Sequence, residues 1–576
     1  MTPALNKTKQ KQYGLLSMIA IITGTIIGAG IFVKNTELIE TTNSALLSTI
    51  GWIIGGLIVA SMLIAFIEVS SITKLKNEQG TFPAWSRYLW GEKMSKFISI
   101  YFTLIYFPMI IAIETSFAAN QLIGIFNMEE MATFWLSTII IYILVISAFL
   151  IVNNSQRTGK GIIASGTIIK VIPLLLIIII ALIILMGGTV GSTSDVNNIF
   201  DPKDKVINSG MDDGKNNILQ ILMILPAILF AFDGFLFVNS LSTETKKTST
   251  YRNAAIIAIF ITTMIFILFS LSSYMLAIPD SEGNLSSPQF NIGTIIGGIW
   301  AGFAGKIIGT LVELTIFVSI ITVTFSYAVT TPWSIADLSN INEIADVNGT
   351  LLRRNKIGVP FRAGMRMLFL ALIAITMVRT ADGIYILTLN SIDNIELGAG
   401  KTLTDYNDSM TNYSSNIETM VNFTFYSIIL IGAVRNRFTK RVEVEKSTGF
   451  FVFSFIAIFI MIFAVADLFF ITIQGFGKSF STLLGINSGH LTDDNIYNAF
   501  GFILWIIFFA FLIITVKCVE GKVKRLSKND LKHKKYYQKA FNNHIPFNDY
   551  KINHKQPADI KYTRAQKINH KKTKKE

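Results

Sequence analysis

The chain has 576 residues, of which 51% are hydrophobic and only 15% charged, with a formal net charge of +13. Soluble domains carry roughly 25% charged residues, so this deficit and the repeated long apolar runs predict a polytopic membrane protein. The basic residues lie at the ends and in alternate loops, which disfavours a nucleic-acid partner. The only cysteine, Cys518, excludes an intramolecular disulfide and a cysteine metal cluster, so we expect no cofactor and no metal.

The first apolar segment contains glycines that are unusual in a spanning helix. Residues 15–33 carry no charge, yet Gly24, Gly28 and Gly30 crowd the second half. Glycine weakens a helix, and lipid tolerates broken backbone only inside protein or beside an aqueous cavity. We therefore predict a break at Gly28, Ala29 and Gly30. Close helix packing is the alternative, because the spacing of Gly24 and Gly28 also fits a GxxxG motif.

Eleven further apolar segments follow, which makes twelve candidate spans. The spans lie at roughly 15–34, 45–72, 97–126, 132–152, 162–187, 217–240, 254–277, 303–330, 364–387, 417–434, 450–473 and 498–517. Cations concentrate in every second loop, so the positive-inside rule predicts that both termini are cytoplasmic. The lysine-rich tail after the last span is expected to be solvated, with attraction to anionic lipid as the alternative. Two long polar loops, 188–216 and about 388–416, are predicted on the outer side.

The sixth span is interrupted like the first. Pro226 precedes the interruption, and Asp233-Gly234 lies inside the span. Each interrupted span is the first of a block of five spans. Because five is an odd number, the second block enters the membrane in the opposite orientation to the first. Paired interruptions of this kind indicate a binding site near the membrane midplane. The predicted divisions are a cytoplasmic N-terminus at 1–14, a first repeat at 15–187, a second at 217–434, peripheral helices at 450–517 and a basic tail at 518–576.

Three stretches carry a family resemblance. GTIIGAGIF at residues 24–32 is similar to the first-span signature of the amino acid permeases of the amino acid–polyamine–organocation (APC) superfamily. FAFDGFLFVNSLSTETKKTSTYRN at 230–253 resembles its sixth span, and AFIEVSSITKLKNEQGTFPAW at 65–85 resembles its second, although Gln79 replaces one of the usual paired glycines. The resemblance covers about 13–440. It implies an all-α, five-plus-five inverted-repeat (LeuT-type) transporter fold with two peripheral helices, and amino acid transport by alternating access.

An amino acid zwitterion needs partners for both charges in a low-dielectric interior. The N–H groups of Gly28, Ala29 and Gly30, where the helix restarts, suit the carboxylate. The carbonyl of Ile26, freed before the break, suits the ammonium. The resemblance implies further ammonium ligands and a ring that covers the bound side chain. The implied carbonyls are those of Phe230, Ala231 and Asp233, and the implied ring is that of Phe230 or Phe232.

Two charges inside the spans are candidates for function. Asp233 is expected to attract an ammonium or take a proton; the alternative is a solvated acid at the mouth of a vestibule. Lys170 lies in the fifth span, where burial disfavours its charged form. Some members of the family have a lysine at this point of the fifth span. Sodium-driven relatives of the fold bind a cation at the same place. The resemblance therefore implies that the lysine ammonium replaces the ion and that transport is coupled to protons. The alternative for Lys170 is that its head group snorkels to interfacial water.

Glu114 and Glu313 also lie in apolar surroundings and are candidates to line the pathway, with structural pairing as the alternative. Glu68 is expected to be structural, at the cytoplasmic end of the second span. No GxxxxGK[ST], HExxH or GxSxG motif occurs, which disfavours an ATP-driven pump and an enzyme. A channel is disfavoured because a filter usually needs several symmetric copies.

The predicted function is secondary active transport of amino acids across the plasma membrane, as proton-coupled uptake of a neutral amino acid. Ala29, where some relatives have serine, favours a neutral substrate, whereas Asp233 favours a cationic one. Exchange of amino acids and transport of cationic amino acids or polyamines remain alternatives. The predicted partners are the amino acid, protons and the lipid bilayer.

Overall fold

A computed structural model gives the architecture of the chain. The structure describes residues 14–42, 44–75, 81–126, 130–186, 217–235, 248–276, 293, 296–297, 303–346, 348–355, 358–391, 407–483, 493–525, 535 and 538. The loop predicted at 188–216 and most of the basic tail lie outside these residues. Within the described part, regular structure is helical and no strand occurs.

The helices follow the apolar segments of the sequence. In chain order they are α1 (Leu15–Ile26), α2 (Ala29–Thr42), α3 (Ala45–Leu75), α4 (Phe82–Trp90), α5 (Glu92–Tyr101), α6 (Phe107–Ile123), α7 (Glu130–Asn154), α8 (Gln156–Ile169), α9 (Val171–Leu185), α10 (Asn217–Ala231), α11 (Thr248–Leu276), α12 (Phe303–Asn340), α13 (Phe361–Ser391), α14 (Ser409–Thr439), α15 (Phe450–Leu483) and α16 (Asp493–Lys524). Among the residues that the structure describes, ten helical stretches are long and apolar enough to cross a membrane. The first and sixth segments add to these as broken spans, which agrees with the twelve predicted spans.

Several helices extend beyond the predicted spans. The first span continues in α2 to Thr42, so Glu37 lies on a helix and not in a loop. The eighth span continues to Asn340. The tenth begins at Ser409, which shortens the loop predicted at 388–416 from both sides. Polar side chains in these extensions, such as Glu37 and Asn412, hydrogen-bond to each other across neighbouring helices. The helices can therefore continue past the apolar core.

Packing between the two five-span blocks is reciprocal. The first half of span one, α1, packs on α11 of span seven, while the first half of span six, α10, packs on α3 of span two. In the same way α6 packs on α13, and α12 packs on α7. A two-fold relation between the blocks requires such exchanged pairs. The expected inverted-repeat fold of a polytopic all-α protein is therefore confirmed.

The third span is not the continuous α-helix that the sequence predicts. A π-helical turn at Phe102–Tyr106 separates α5 from α6. Pro108 follows two residues later and has no N–H to donate to the preceding turn. A wider turn accommodates this loss. The turn sets the register of Tyr106, which is part of the site described below.

Buried ion pairs stabilise several of the charged residues inside the bundle. Glu68 accepts two hydrogen bonds from the guanidinium of Arg437, at 2.6 and 2.7 Å, which agrees with the predicted structural role of Glu68. In the ninth span, Arg379 lies 3.2 Å from carboxylate oxygens of both Asp382 and Asp408. These partners explain how a span with two internal charges remains buried.

Candidate substrate-binding site

The first span breaks where the glycines predict. Helix α1 ends at Ile26, because Ile27 adopts an extended conformation with φ −69° and ψ 101°. Helix α2 starts at Ala29. The last carbonyls of α1 and the first N–H groups of α2 consequently have no partner inside their own helices. The N–H groups predicted for the carboxylate, those of Gly28, Ala29 and Gly30, lie at this start.

Lys170 lies against the same break. Its Nζ donates hydrogen bonds to the carbonyl oxygens of Gly24 at 2.9 Å and of Ile27 at 2.7 Å. Its exposed fraction is only 5%. The snorkelling alternative is wrong for this conformation, because backbone carbonyls and not interfacial water hold the ammonium. Neither hydrogen bond of Lys170 involves the carbonyl of Ile26, which is predicted to bind the substrate ammonium.

The sixth span breaks after α10 in a tight turn. Asp233 donates its backbone N–H to the carbonyl of Phe230 at 3.0 Å. Gly234 has φ +90°, a conformation that favours glycine, and its N–H donates to Oδ1 of Asp233 at 2.8 Å. Of the three carbonyls that the resemblance implies, that of Phe230 is already engaged. The carbonyls of Ala231 and Asp233 are the better candidates for the ammonium.

Aromatic and amide side chains surround the Asp233 carboxylate. Tyr106 donates to it at 2.7 Å, and Asn422 and Tyr426 donate at 3.4 and 3.5 Å. Tyr101 in turn donates to Asn422 at 2.6 Å. Hydrogen bonds stabilise a carboxylate in a low-dielectric site. Asp233 is therefore anchored to the third and tenth spans and does not lie free at a vestibule mouth.

The two breaks touch each other at Gly30. A Cβ on Gly30 would overlap the Cα of Ala231 and lie 2.9 Å from its Cβ. A Cβ on Gly28 would instead lie 3.6 Å from Cγ2 of Val323, an ordinary contact. Close packing therefore explains Gly30. It does not explain Gly28, which lines the cavity described below.

A cavity of about 1220 Å³ begins at both breaks. Its inner end is lined by Gly28, Gly30, Phe230 and Asp233, with Lys170 at its side. From there it extends between the third and eighth spans to one end of the bundle. That end carries the residues Arg87, Glu92, Asp337 and Glu343, which lie in or beside loops predicted to be cytoplasmic. The geometry is that of a binding site open to one side of the bundle.

The family can be assigned from a comparison of sequences. A family model described as "Amino acid permease" matches residues 13–508. The chain belongs to this family. This assignment confirms the resemblance noted in the first, second and sixth spans and identifies the chain as a multi-pass membrane transporter of the permease type.

Individual relatives of the permease are distant. An uncharacterized protein of Mycoplasma pneumoniae is 22% identical over 483 residues, which cover 77% of this chain and 81% of that protein. The serine/threonine exchanger SteT of Bacillus subtilis is 23% identical over 309 residues, covering 54% and 64%. Among solved structures, MhsT in complex with L-phenylalanine has a TM-score of 0.48 and 12% identity, covering 80% of this chain and 99% of MhsT.

The two candidate rings of the permease have different surroundings. Phe230 lines the cavity and packs edge-on against Phe117. Phe232 is fully buried and packs against Trp52 and Phe266, with ring centroids 6.2 and 5.1 Å away. The prediction that Phe232 contacts substrate is therefore not supported, because its position in the turn directs it into the core.

The two candidate acids also differ. Glu114 of α6 lines the cavity, and its Oε2 has no hydrogen-bond partner among the described residues. Glu313 of α12 is half-buried and lies where a Cβ on Gly293 would be, away from the residues that line the cavity. Both acids lie in apolar stretches of the sequence, but only Glu114 is on a helix face that lines the cavity.

A polar cluster closes the permease beyond the breaks. Lys34 of α2 is fully buried and donates to Glu37 at 2.7 Å and to Asn416 at 3.0 Å. It also bonds to Asn412, and both asparagines donate to Glu37. We call these four residues the closing cluster. It joins the second half of span one to span ten at the end opposite the cavity mouth.

Sequence reasoning missed the polar residues of the third and tenth spans. Tyr106, Asn422 and Tyr426 bond to Asp233 from 127 to 193 positions away in the chain. Pro108 and the density of polar residues in 409–422 mark these spans as unusual. Neither feature indicates which side chains meet.

Proposed function

We propose that this permease takes up a neutral amino acid across the plasma membrane by alternating access, coupled to protons. The observation that carries the proposal is the convergence of both helix breaks and Lys170 on the inner end of one cavity. Two five-span repeats, 15–187 and 217–434, would form the moving parts, with 450–517 peripheral. Cation-rich loops favour cytoplasmic termini, with the cavity mouth and the basic tail on that side.

In this proposal the backbone holds the zwitterion. The N–H groups of Gly28, Ala29 and Gly30 bind the carboxylate at the positive end of α2. The carbonyls of Ile26 and Ala231, with that of Asp233, bind the ammonium. Phe230 covers the bound side chain. A neutral substrate is favoured because the Asp233 carboxylate already accepts three side-chain hydrogen bonds.

Lys170 would couple transport to protons. Its ammonium bonds two carbonyls of the first break, so loss of its proton would weaken the contact between the fifth span and α1. A resident ammonium at this place also leaves no room for a bound sodium ion. Glu114, whose field acts on Lys170, is a further candidate for the pathway.

Transport in proteoliposomes tests the proposal. We expect labelled L-serine or L-leucine to show counterflow, which a channel does not, and to accumulate under an inward proton gradient. Lys170→Ala should lose most of this accumulation. Undiminished accumulation in that variant would remove Lys170 from the mechanism, and uptake driven by sodium alone would refute the proton coupling.

Exchange is the second candidate function, because the relative SteT is a serine/threonine exchanger. Uptake that requires amino acid on the opposite side and ignores the proton gradient would favour it. Competition by L-lysine stronger than by the neutral amino acids would indicate a cationic substrate instead.

A further inference from the structure

Glu418 is a buried acid without a hydrogen-bond partner in the described part of the chain. It lies in the middle of α14, the tenth span, and is 1% exposed. Neither of its carboxylate oxygens has a hydrogen-bond partner among the described residues. A charge in such a place is strongly unfavourable unless it is paired. Burial without a partner therefore favours the neutral, protonated form of this side chain.

The groups around Glu418 do not favour its charged form. The charged groups with the largest effect on it are Asp233 and Glu114, which are acids. The phenol groups of Tyr101, Tyr106 and Tyr327 interact electrostatically with the Glu418 carboxyl group. Three sets of charged side chains on α14 and its neighbours form ion pairs, whereas Glu114 of α6 and Asp467 of α15 each have a carboxylate oxygen without a hydrogen-bond partner among the described residues. The ion pairs are Glu68 with Arg437, Arg379 with Asp382 and Asp408, and Lys34 with Glu37.

Glu418 lies between the two ends of the transport pathway. Asn412 and Asn416 of α14 belong to the closing cluster, and Asn422 bonds to Asp233 at the cavity. The ten residues from Asn412 to Asn422 span about 15 Å of helix. Glu418 is one turn from Asn422 and on the same face, because residues four apart align along a helix.

We propose that Glu418 is a proton-binding site of the transport cycle, which rests on the proton coupling proposed above. In the present conformation Glu418 does not line the cavity, whereas Asp233, which accepts a hydrogen bond from Asn422 one turn from Glu418, does. When the closing cluster opens, Glu418 takes a proton from the outer side. From the present conformation, in which the cavity is already open at its mouth, movement of Asp233 admits cavity water to Glu418. The O–H bond then breaks and the proton passes to that water, leaving the carboxylate to be reprotonated in the next cycle.

Replacement of Glu418 by its neutral isostere tests this role. Glu418→Gln resembles the protonated form, so it should exchange substrate but should not use a proton gradient. With the membrane potential clamped at zero, one pH unit supports at most about tenfold accumulation of a neutral amino acid with one proton. We expect wild-type protein to approach this ratio with L-serine or L-leucine. Glu418→Gln should stay near equal concentrations yet show counterflow close to wild type.

Asp467→Asn is the matched control. Asp467 is a buried acid of the peripheral helix α15, and its Oδ2 has no partner among the described residues. This variant should accumulate substrate as the wild type does. Wild-type accumulation by Glu418→Gln would overturn the proposal. A folded Glu418→Gln protein without counterflow would also overturn it, because the residue would then serve the whole cycle.

Transport by the wild-type protein distinguishes failure of the proposed function from failure of the proposed role of Glu418. If wild-type protein shows neither counterflow nor accumulation with these amino acids, the proposed function fails. If the wild type accumulates them and Glu418→Gln does too, only the role of Glu418 fails.

Discussion

Gly28 and Gly30 lie two residues apart, but alanine at each position has a different expected effect. A Cβ on Gly30 would lie 2.9 Å from Cβ and 3.0 Å from the backbone nitrogen of Ala231. The Cα of Ala231 would be closer still. Carbon atoms in contact prefer about 3.5–4.0 Å, so the two broken spans must separate by more than about 1 Å. Overpacking of this kind costs about 1–3 kcal/mol. Gly30→Ala should therefore lower the thermal unfolding midpoint.

Gly28→Ala should leave the fold unchanged. The nearest side-chain atom to the new methyl group would be Cγ2 of Val323, at 3.6 Å, an ordinary contact. The methyl group would, however, enter the cavity where we place the substrate carboxylate. Loss of one hydrogen bond to a charged group, about 1.5 kcal/mol, raises the half-saturating concentration about tenfold.

Unfolding of the purified variants in detergent and counterflow in proteoliposomes measure the two effects separately. Gly161→Ala is the control, because Gly161 is exposed and nothing lies within 4 Å of its added Cβ. If Gly30→Ala unfolds at the same temperature as this control, the described contact between the breaks is wrong. If Gly28→Ala binds and transports normally, the carboxylate does not lie at that glycine.

Two further predictions concern side chains around the site. Tyr106→Phe removes the 2.7 Å hydrogen bond to Asp233 and keeps the ring. The half-saturating substrate concentration in counterflow should therefore rise about tenfold. An unchanged concentration would show that Asp233 does not need this donor. Glu68→Gln breaks the two-point bond with Arg437 and should lower the unfolding midpoint, while substrate preference in a competition assay stays the same. Altered preference in Glu68→Gln would contradict its purely structural role.

The sequence predicts features that depend on neighbouring residues. Apolar length determines the spans, because lipid requires about 20 apolar residues per helix. The breaks at Gly28 and after Ala231 follow from residues that weaken a helix locally or allow a positive φ, as Gly234 does. The structural role of Glu68 also follows from its position at a helix end.

Only the tertiary structure decides which side chains meet. Lys170 bonds to carbonyls more than 140 positions away, and Lys34 bonds to asparagines 378 and 382 positions away. Rotation of each helix about its axis brings Glu114 and Phe230 to the cavity, whereas Glu313 and the turn residue Phe232 face elsewhere. Hydropathy does not encode this rotation, because a helix at the centre of a bundle is apolar on several faces. The sequence by itself thus determined the spans and their breaks, and packing among distant helices determined which residues form the site.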